Sequence, residues 1–234
     1  MMLVNIQRFG VFNERPPKPK YVFVWDVDQV LSYLESLATN NDLSDQLLNL
    51  KLAALLFLTS SGRCHEICYL DVRYKVKTSS SYKFYFTKVT KSWRRGQPPP
   101  VLEFEEFSAN KKMCVVTCLS HYLERTAEWR TEGQNQLLLS HLNPHKEVKS
   151  STISNWVKQV LKLSGIDVSK YQAHSCRSAS TSKAKVLGLS VKEILERGRW
   201  SSKSTWQRFY NKEIETQPQP DIIFRGKFKA LNQG

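Results

Sequence analysis

Apolar positions recur at helical spacing along most of the chain and at a spacing of two in one stretch, which predicts a mainly helical α+β fold carrying a small sheet. Val27, Val30, Leu31, Leu34 and Leu37 mark the face of a first helix, with Asp26 a suitable N-cap. In a second helix, over residues 45–60, Leu47, Leu48, Leu50, Leu52, Leu55, Leu56 and Leu58 surround most of the circumference, which predicts a central, buried position. Ser61 and Gly62 end it. From Leu70 the period changes. Leu70, Val72, Tyr74 and Val76 alternate with Asp71, Arg73, Lys75 and Lys77, the pattern of a half-buried strand. Tyr82, Phe84 and Phe86 repeat the alternation, and a third strand spans Val101 to Phe104 after a turn holding Lys91, Arg94, Arg95 and Gly96, so a three-stranded antiparallel sheet is expected. Helical spacing returns at Val115, Cys118, Leu119, Tyr122 and Leu123, and again at Ile153, Trp156, Val157, Val160 and Leu161, where Gly165 offers a left-handed stop. Further helices are expected from about Ser175 to Leu187, over Val191 to Arg197 behind a Ser190/Glu193 capping box, and from Ser201 or Ser202 to near Tyr210.

The ends read differently. Residues 1–20, with Arg15, Pro16, Pro17, Lys18, Pro19 and Lys20, form an extended leader; residues 21–214 form one domain; residues 215–234 are a Pro-interrupted linker and tail holding Ile222, Ile223 and Phe224. Lys and Arg number 35 against 21 Asp and Glu, a net charge of +14 that calls for an anionic partner. The composition, 41% hydrophobic with only 9 Gly, excludes collagenous and wholly disordered classes. The most apolar run, Leu52 to Leu58, is far short of the ~20 residues of a membrane span. Met1 to Gly10 lacks the pattern of a secretory signal, and the 5 cysteines are odd in number, so reduced thiols in a nuclear or cytoplasmic setting are expected. Cys64, His65 and Cys68, like Cys114, Cys118 and His121, lack paired metal-ligand spacing; the second set recurs at i, i+4, i+7 and reads as core, so no metal is expected.

Candidate chemistry sits at the junctions between elements: Arg63 past the central helix, Lys91 in the hairpin turn, His174 and Arg177 at a helix start, Trp200 and Tyr210 around the last helix. Read in order, Thr59-Ser60-Ser61-Gly62-Arg63-Cys64-His65-Glu66, Thr90-Lys91-Ser92, His174-Ser175-Cys176-Arg177, Gly198-Arg199-Trp200-Ser201-Ser202 and Phe209-Tyr210 resemble the tyrosine recombinase (phage-integrase) family over about Tyr21 to Lys212. Arg15-Pro16-Pro17, Trp25-Asp26-Val27 and the wording around His174 look most like the recombinases of eukaryotic DIRS-type and crypton-type mobile elements. The interval from Trp200 to Tyr210 is one residue longer than the commonest family spacing.

The chemistry explains the residue types. Attack on a phosphodiester spreads charge over the oxygens of a pentavalent phosphorus, and an always-protonated guanidinium fork meets that charge with two hydrogen bonds. Arg63 and Arg177 are therefore the expected clamp, with Glu66 orienting Arg63. A phenol ordinarily titrates near pH ~10, so a tyrosine nucleophile needs a base or a positive field. The resemblance implies the remaining roles: Tyr210 as nucleophile forming a 3′-phosphotyrosyl link, His174 as base, Lys91 as acid to the leaving 5′ oxygen with Lys88 as the competing position, and Trp200 as phosphate donor and buttress, with no cofactor. Lys88, Arg94, Arg95, Arg199 and Lys203 are expected on duplex DNA. The resemblance further implies a tetramer on DNA with exchange of C-terminal segments, and a second DNA-binding domain for which the residues before Tyr21 are too few, so a truncated copy is expected. Two other readings share this sequence: a non-cleaving DNA-binding descendant of such a recombinase, and a type IB topoisomerase.

Overall fold

The computed structural model describes residues 18–90, 93 and 96–215. Strand β1 (Phe23–Val24) leads into helix α1 (Val27–Ser36), whose N-cap Asp26 accepts from the Asp28 amide. Helix α2 (Asp45–Ser60) is the central one: every residue from Leu48 to Phe57 is buried, and it packs against α4 (Val115–Arg125), α5 (Ser150–Leu163) and α6 (Ser175–Val186). Leucines all round its circumference leave it no solvent face to present. Ser61 closes α2 in the left-handed conformation, φ 48°, and the chain turns at once into the short helix α3 (Cys64–Cys68).

The sheet comprises β2 (Lys75–Lys77), β3 (Ser81–Tyr85) and β4 (Val101–Glu105), antiparallel in that order, with Tyr82 opposite Phe104 and Phe84 opposite Leu102. Those four side chains are buried on one face and close the core. The first strand is shorter than the alternation from Leu70 suggests. Asp71 accepts from the Arg73 amide at 2.9 Å and winds Val72–Tyr74 into a 3₁₀ turn, and Tyr74 and Val76 stay exposed. A local side-chain bond to the backbone has outcompeted the ladder there.

The C-terminal part is a run of helix starts and stops. After α6, Gly188 adopts φ +92°, Ser190 and Glu193 form the capping box of α7 (Val191–Arg197), and Ser202 caps α8 (Lys203–Phe209). Strand β5 (Glu213–Ile214) then pairs in parallel with β1, bringing the two ends of the described chain together. Glu215, assigned to the tail by composition, accepts from Lys170 Nζ and Tyr171 Oη, each at 2.8 Å. The cysteines are free thiols, and Cys114, Cys118 and Cys176 are buried in the core. Among the described residues no helix is long and apolar enough to cross a membrane, and no cluster of His, Cys, Asp and Glu is grouped to hold a metal ion.

Candidate active site

Arg177 anchors the site. It lies in the first turn of α6, is 1% exposed, and its guanidinium donates to the carbonyls of Ser61 and Gly198, so the end of α2 and the end of α7 are tied to it. Trp200 lies against it: the Arg177 Cζ is 3.9 Å from the Trp200 ring centroid and 5.3 Å from that of Tyr210. The Trp200 and Tyr210 rings are 5.0 Å apart and tilted by 58°, and His174 presents its ring edge-on to Tyr210 at 5.8 Å. Burial, and then the charge of Arg63, press the Arg177 pKa down, while Glu66 and Tyr210 act the other way. A guanidinium stays protonated through such a shift.

Local sequence explains these positions. Ser175, second of the His174-Ser175-Cys176-Arg177 run, accepts from the Trp25 indole at 2.8 Å and donates to the Gln172 carbonyl at 2.7 Å, which fixes the start of α6. Gly198 follows α7 because a Cβ there would lie 1.6 Å from Trp200 Cζ3. Tyr210 ends α8, its amide bonded to the Trp206 carbonyl at 2.8 Å. Ser182, buried on α6, donates to the Tyr210 carbonyl and accepts from the Lys212 amide, clipping both sides of the tyrosine. Trp206 is fully buried and serves the core of the last helix, as its position beside Tyr210 suggests.

Arg63 arrives from the other side, as the residue before α3. Its Nη1 donates to Glu66 Oε1 at 2.7 Å and its amide to Glu66 Oε2 at 3.0 Å, so the carboxylate three residues on holds both side chain and backbone. Arg199 Nη2 meets the same Oε2 at 2.9 Å. Burial alone would raise the pKa of the fully buried Glu66; the Arg199 charge, the Arg63 amide and the Arg63 charge overcome it and hold it at about 2. His174 titrates below its ordinary range. The residue as a whole is exposed, but its ring is crowded by protein atoms, and that burial, followed by Arg177 and Arg63, disfavours the imidazolium.

The donors in this cluster are not all used. Arg177 Nε, Arg199 Nε and Trp200 Nε1 are buried without a hydrogen-bond partner. Unpaired buried donors cost free energy, and the two that lie together, Arg177 Nε and Trp200 Nε1, point to an anion as their partner. Cys64, beside Arg63, is no rival nucleophile, because burial pushes its thiol pKa up.

Of the expected residues, Arg63, Glu66, His174, Arg177, Arg199, Trp200 and Tyr210 come together. Lys88 does not join them: it is exposed and lies over the Tyr69 ring at 5.2 Å, past the end of α3 opposite Arg63. Lys203 stands exposed at the start of α8. Lys91, Arg94 and Arg95 lie outside the described residues, as do most of the leader and the tail holding Ile222, Ile223 and Phe224. The sequence reading missed the Ser61 and Gly198 carbonyls and Ser182. Main-chain acceptors carry no residue signature, and only the short Gly198-Arg199-Trp200 run hinted at the second.

No family model matches the sequence, and no curated protein matches it either. Solved structures do match the fold. The site-specific recombinase XerH, in a post-cleavage complex with its palindromic difH substrate, superposes with a TM-score of 0.61 at 11% identity, covering 91% of this chain and 54% of that one. This chain thus spans about half the length of XerH. The recombinase XerA matches with a TM-score of 0.57 at 18% identity, over 95% of this chain and 68% of its own. A lambda integrase dimer bound to a core site matches at 0.55 with 15% identity, over 91% of this chain and 68% of its own. The fold is that of the tyrosine recombinase catalytic domain.

Proposed function

We propose that this protein cleaves and rejoins strands of duplex DNA by transesterification, with Tyr210 as nucleophile and a 3′-phosphotyrosyl intermediate. The observation that carries the reading is the convergence of His174, Arg177 and Trp200 around the Tyr210 ring, with the Arg63 charge felt at both His174 and Arg177 and with buried N–H donors left unpaired beside it. DNA-bound fold relatives and the net charge of +14 support DNA as the anion.

In this mechanism a phosphodiester enters between Arg63 and Arg177. Trp200 Nε1 and the free Arg177 Nε take its oxygens. His174, neutral because its pKa is lowered, accepts the phenolic proton as Tyr210 Oη attacks phosphorus. The 5′ oxygen leaves with a proton from Lys91, or from Lys88 if the hairpin carries that residue inward. A 5′ hydroxyl from another strand then attacks phosphorus, giving its proton to the lysine left neutral, while Tyr210 departs and regains its proton from His174, so the backbone ester is conserved and no nucleotide is consumed. Exchange between two duplexes makes this a recombinase of the mobile-element kind, assembled as a tetramer on DNA.

The test is incubation with nicked suicide duplexes, which lose the leaving fragment and trap the intermediate. Wild type should form a covalent protein–DNA adduct and Tyr210→Phe none. Binding without adduct across many sequences would overturn the enzymatic reading in favour of a non-cleaving DNA-binding protein. Supercoil relaxation without exchanged strands would instead favour a topoisomerase.

A further inference from the structure

We propose that Arg199 is a positioning residue for Arg63, acting through the buried Glu66 carboxylate, and that it thereby couples the Trp200–Tyr210 side of the site to the start of α3. This rests on the strand-cleavage reading above. Arg199 was expected to contact DNA as one surface cation among several, and its surroundings argue otherwise. Its side chain is 15% exposed and its Nη2 is committed to Glu66 Oε2, the oxygen that also accepts from the Arg63 amide. Glu66 Oε1 holds the Arg63 guanidinium, so one carboxylate with no exposed side-chain surface links the two arginines.

The backbone supplies the second observation. Arg199 adopts φ +53°, a left-handed conformation that disfavours side chains and that glycine takes freely. A glycine is adjacent, yet Gly198 has φ −82° and is used for room under the Trp200 ring. The chain thus places the strain on the residue whose side chain must turn back to Glu66. The same three residues serve both arginines of the clamp. The Gly198 carbonyl accepts from Arg177, Trp200 lies on the Arg177 guanidinium, and Arg199 reaches Arg63 through Glu66. A shift of this turn therefore moves both halves of the phosphate clamp together.

The experiment is single-turnover cleavage of a nicked suicide duplex at saturating protein, for wild type, Arg199→Gly, Arg199→Lys, Arg63→Ala and the Arg63→Ala/Arg199→Gly double variant. Glycine accepts the left-handed backbone, so Arg199→Gly should fold, which thermal melting checks. It should cleave roughly 10- to 100-fold more slowly, the scale of a misplaced catalytic group. Arg199→Lys should recover part of the loss, since an ammonium keeps the charge beside Glu66. The double variant should be no slower than Arg63→Ala alone, because residues acting as a unit are not additive. A double variant slower by the product of the single effects, with a flatter salt dependence of DNA binding, would mean that Arg199 contacts phosphate itself and would overturn the proposal. A second readout needs no cleavage: the carboxyl carbon of Glu66, followed by NMR, should titrate at higher pH in Arg199→Gly than in wild type. If wild type forms no adduct, the strand-cleavage reading fails, and an unmoved Glu66 titration overturns the positioning role on its own.

Discussion

Arg177 Nε, Arg199 Nε and Trp200 Nε1 are buried donors without partners, and so is Lys51 Nζ, yet the two settings differ. The first three share one junction with a tyrosine, a histidine and further cations. Lys51 is fully buried midway along α2, with Cys118 of α4 and Lys112 as its charged or titratable neighbours, and burial lowers its pKa. An isolated unpaired donor is only a cost to folding, of the order of 1–3 kcal/mol. Arg177 Nε and Trp200 Nε1, side by side at one cation-rich point, are a cost that a ligand can reverse. The arrangement of the orphans, and not their presence, marks the site.

Several measurements would break or sharpen that contrast. The largest effect is expected at the site. Arg177→Ala removes the unpaired Nε donor that the proposed mechanism gives to the phosphate and strips the Ser61 and Gly198 carbonyls of theirs. Adduct formation should fall by about 10²–10³-fold. A loss of stability by about 1–3 kcal/mol should accompany it in a denaturant titration. If cleavage persisted near the wild-type rate, the clustered orphans would be no more functional than Lys51.

Acid should act next. Glu66 has a pKa of about 2 in the folded protein against an ordinary 4.5, so its contribution to stability is present above pH 4.5 and is lost as pH falls towards 2. The shift is worth roughly 3 kcal/mol, readable in urea titrations across that window. Glu66→Gln should flatten this part of the profile.

At the isolated orphan the sign reverses. Lys51→Met keeps the volume and removes the unpaired amine, so the protein should gain about 1–2 kcal/mol while cleavage is unchanged. A destabilised Lys51→Met would show that Lys51 has a partner in solution and would erase the contrast.

The smallest effect concerns His174. Its pKa lies below 6.5, so the neutral base is present at pH 7, and the cleavage rate should be level there and fall as acid protonates it. Protonation also favours the unfolded chain, in which the histidine pKa is higher, so this group's contribution to stability declines as pH drops below 6.5. A rate that climbed on acidification would exclude His174 as the base.

Most of the frame was legible from spacing alone. The bounds of α2, the capping box of α7 and the buried face of β3 follow from side-chain periodicity and cap chemistry, because burial and orphan amides constrain each of them locally. The ordered motifs carrying Arg63, Glu66, His174, Arg177, Trp200 and Tyr210 were equally plain, since each is short and rich in distinctive side chains. Short pieces escaped: α3, the 3₁₀ turn at Val72–Tyr74 and the β1–β5 pair are two to five residues long, too few for a period to show.

By itself, then, the sequence determined the helical frame, the sheet and the cationic character, and it supplied the candidate site residues, because those depend on composition and on neighbours close in the chain. Only the tertiary structure decided that Arg199 turns inward to Glu66, that Lys88 faces Tyr69, and that the Ser61 and Gly198 carbonyls hold Arg177. Those outcomes rest on backbone acceptors, on one left-handed residue and on contacts between segments more than a hundred residues apart, such as Ser61 with Arg177. A linear pattern cannot encode which of several equivalent cations finds the one buried carboxylate, since packing makes that choice.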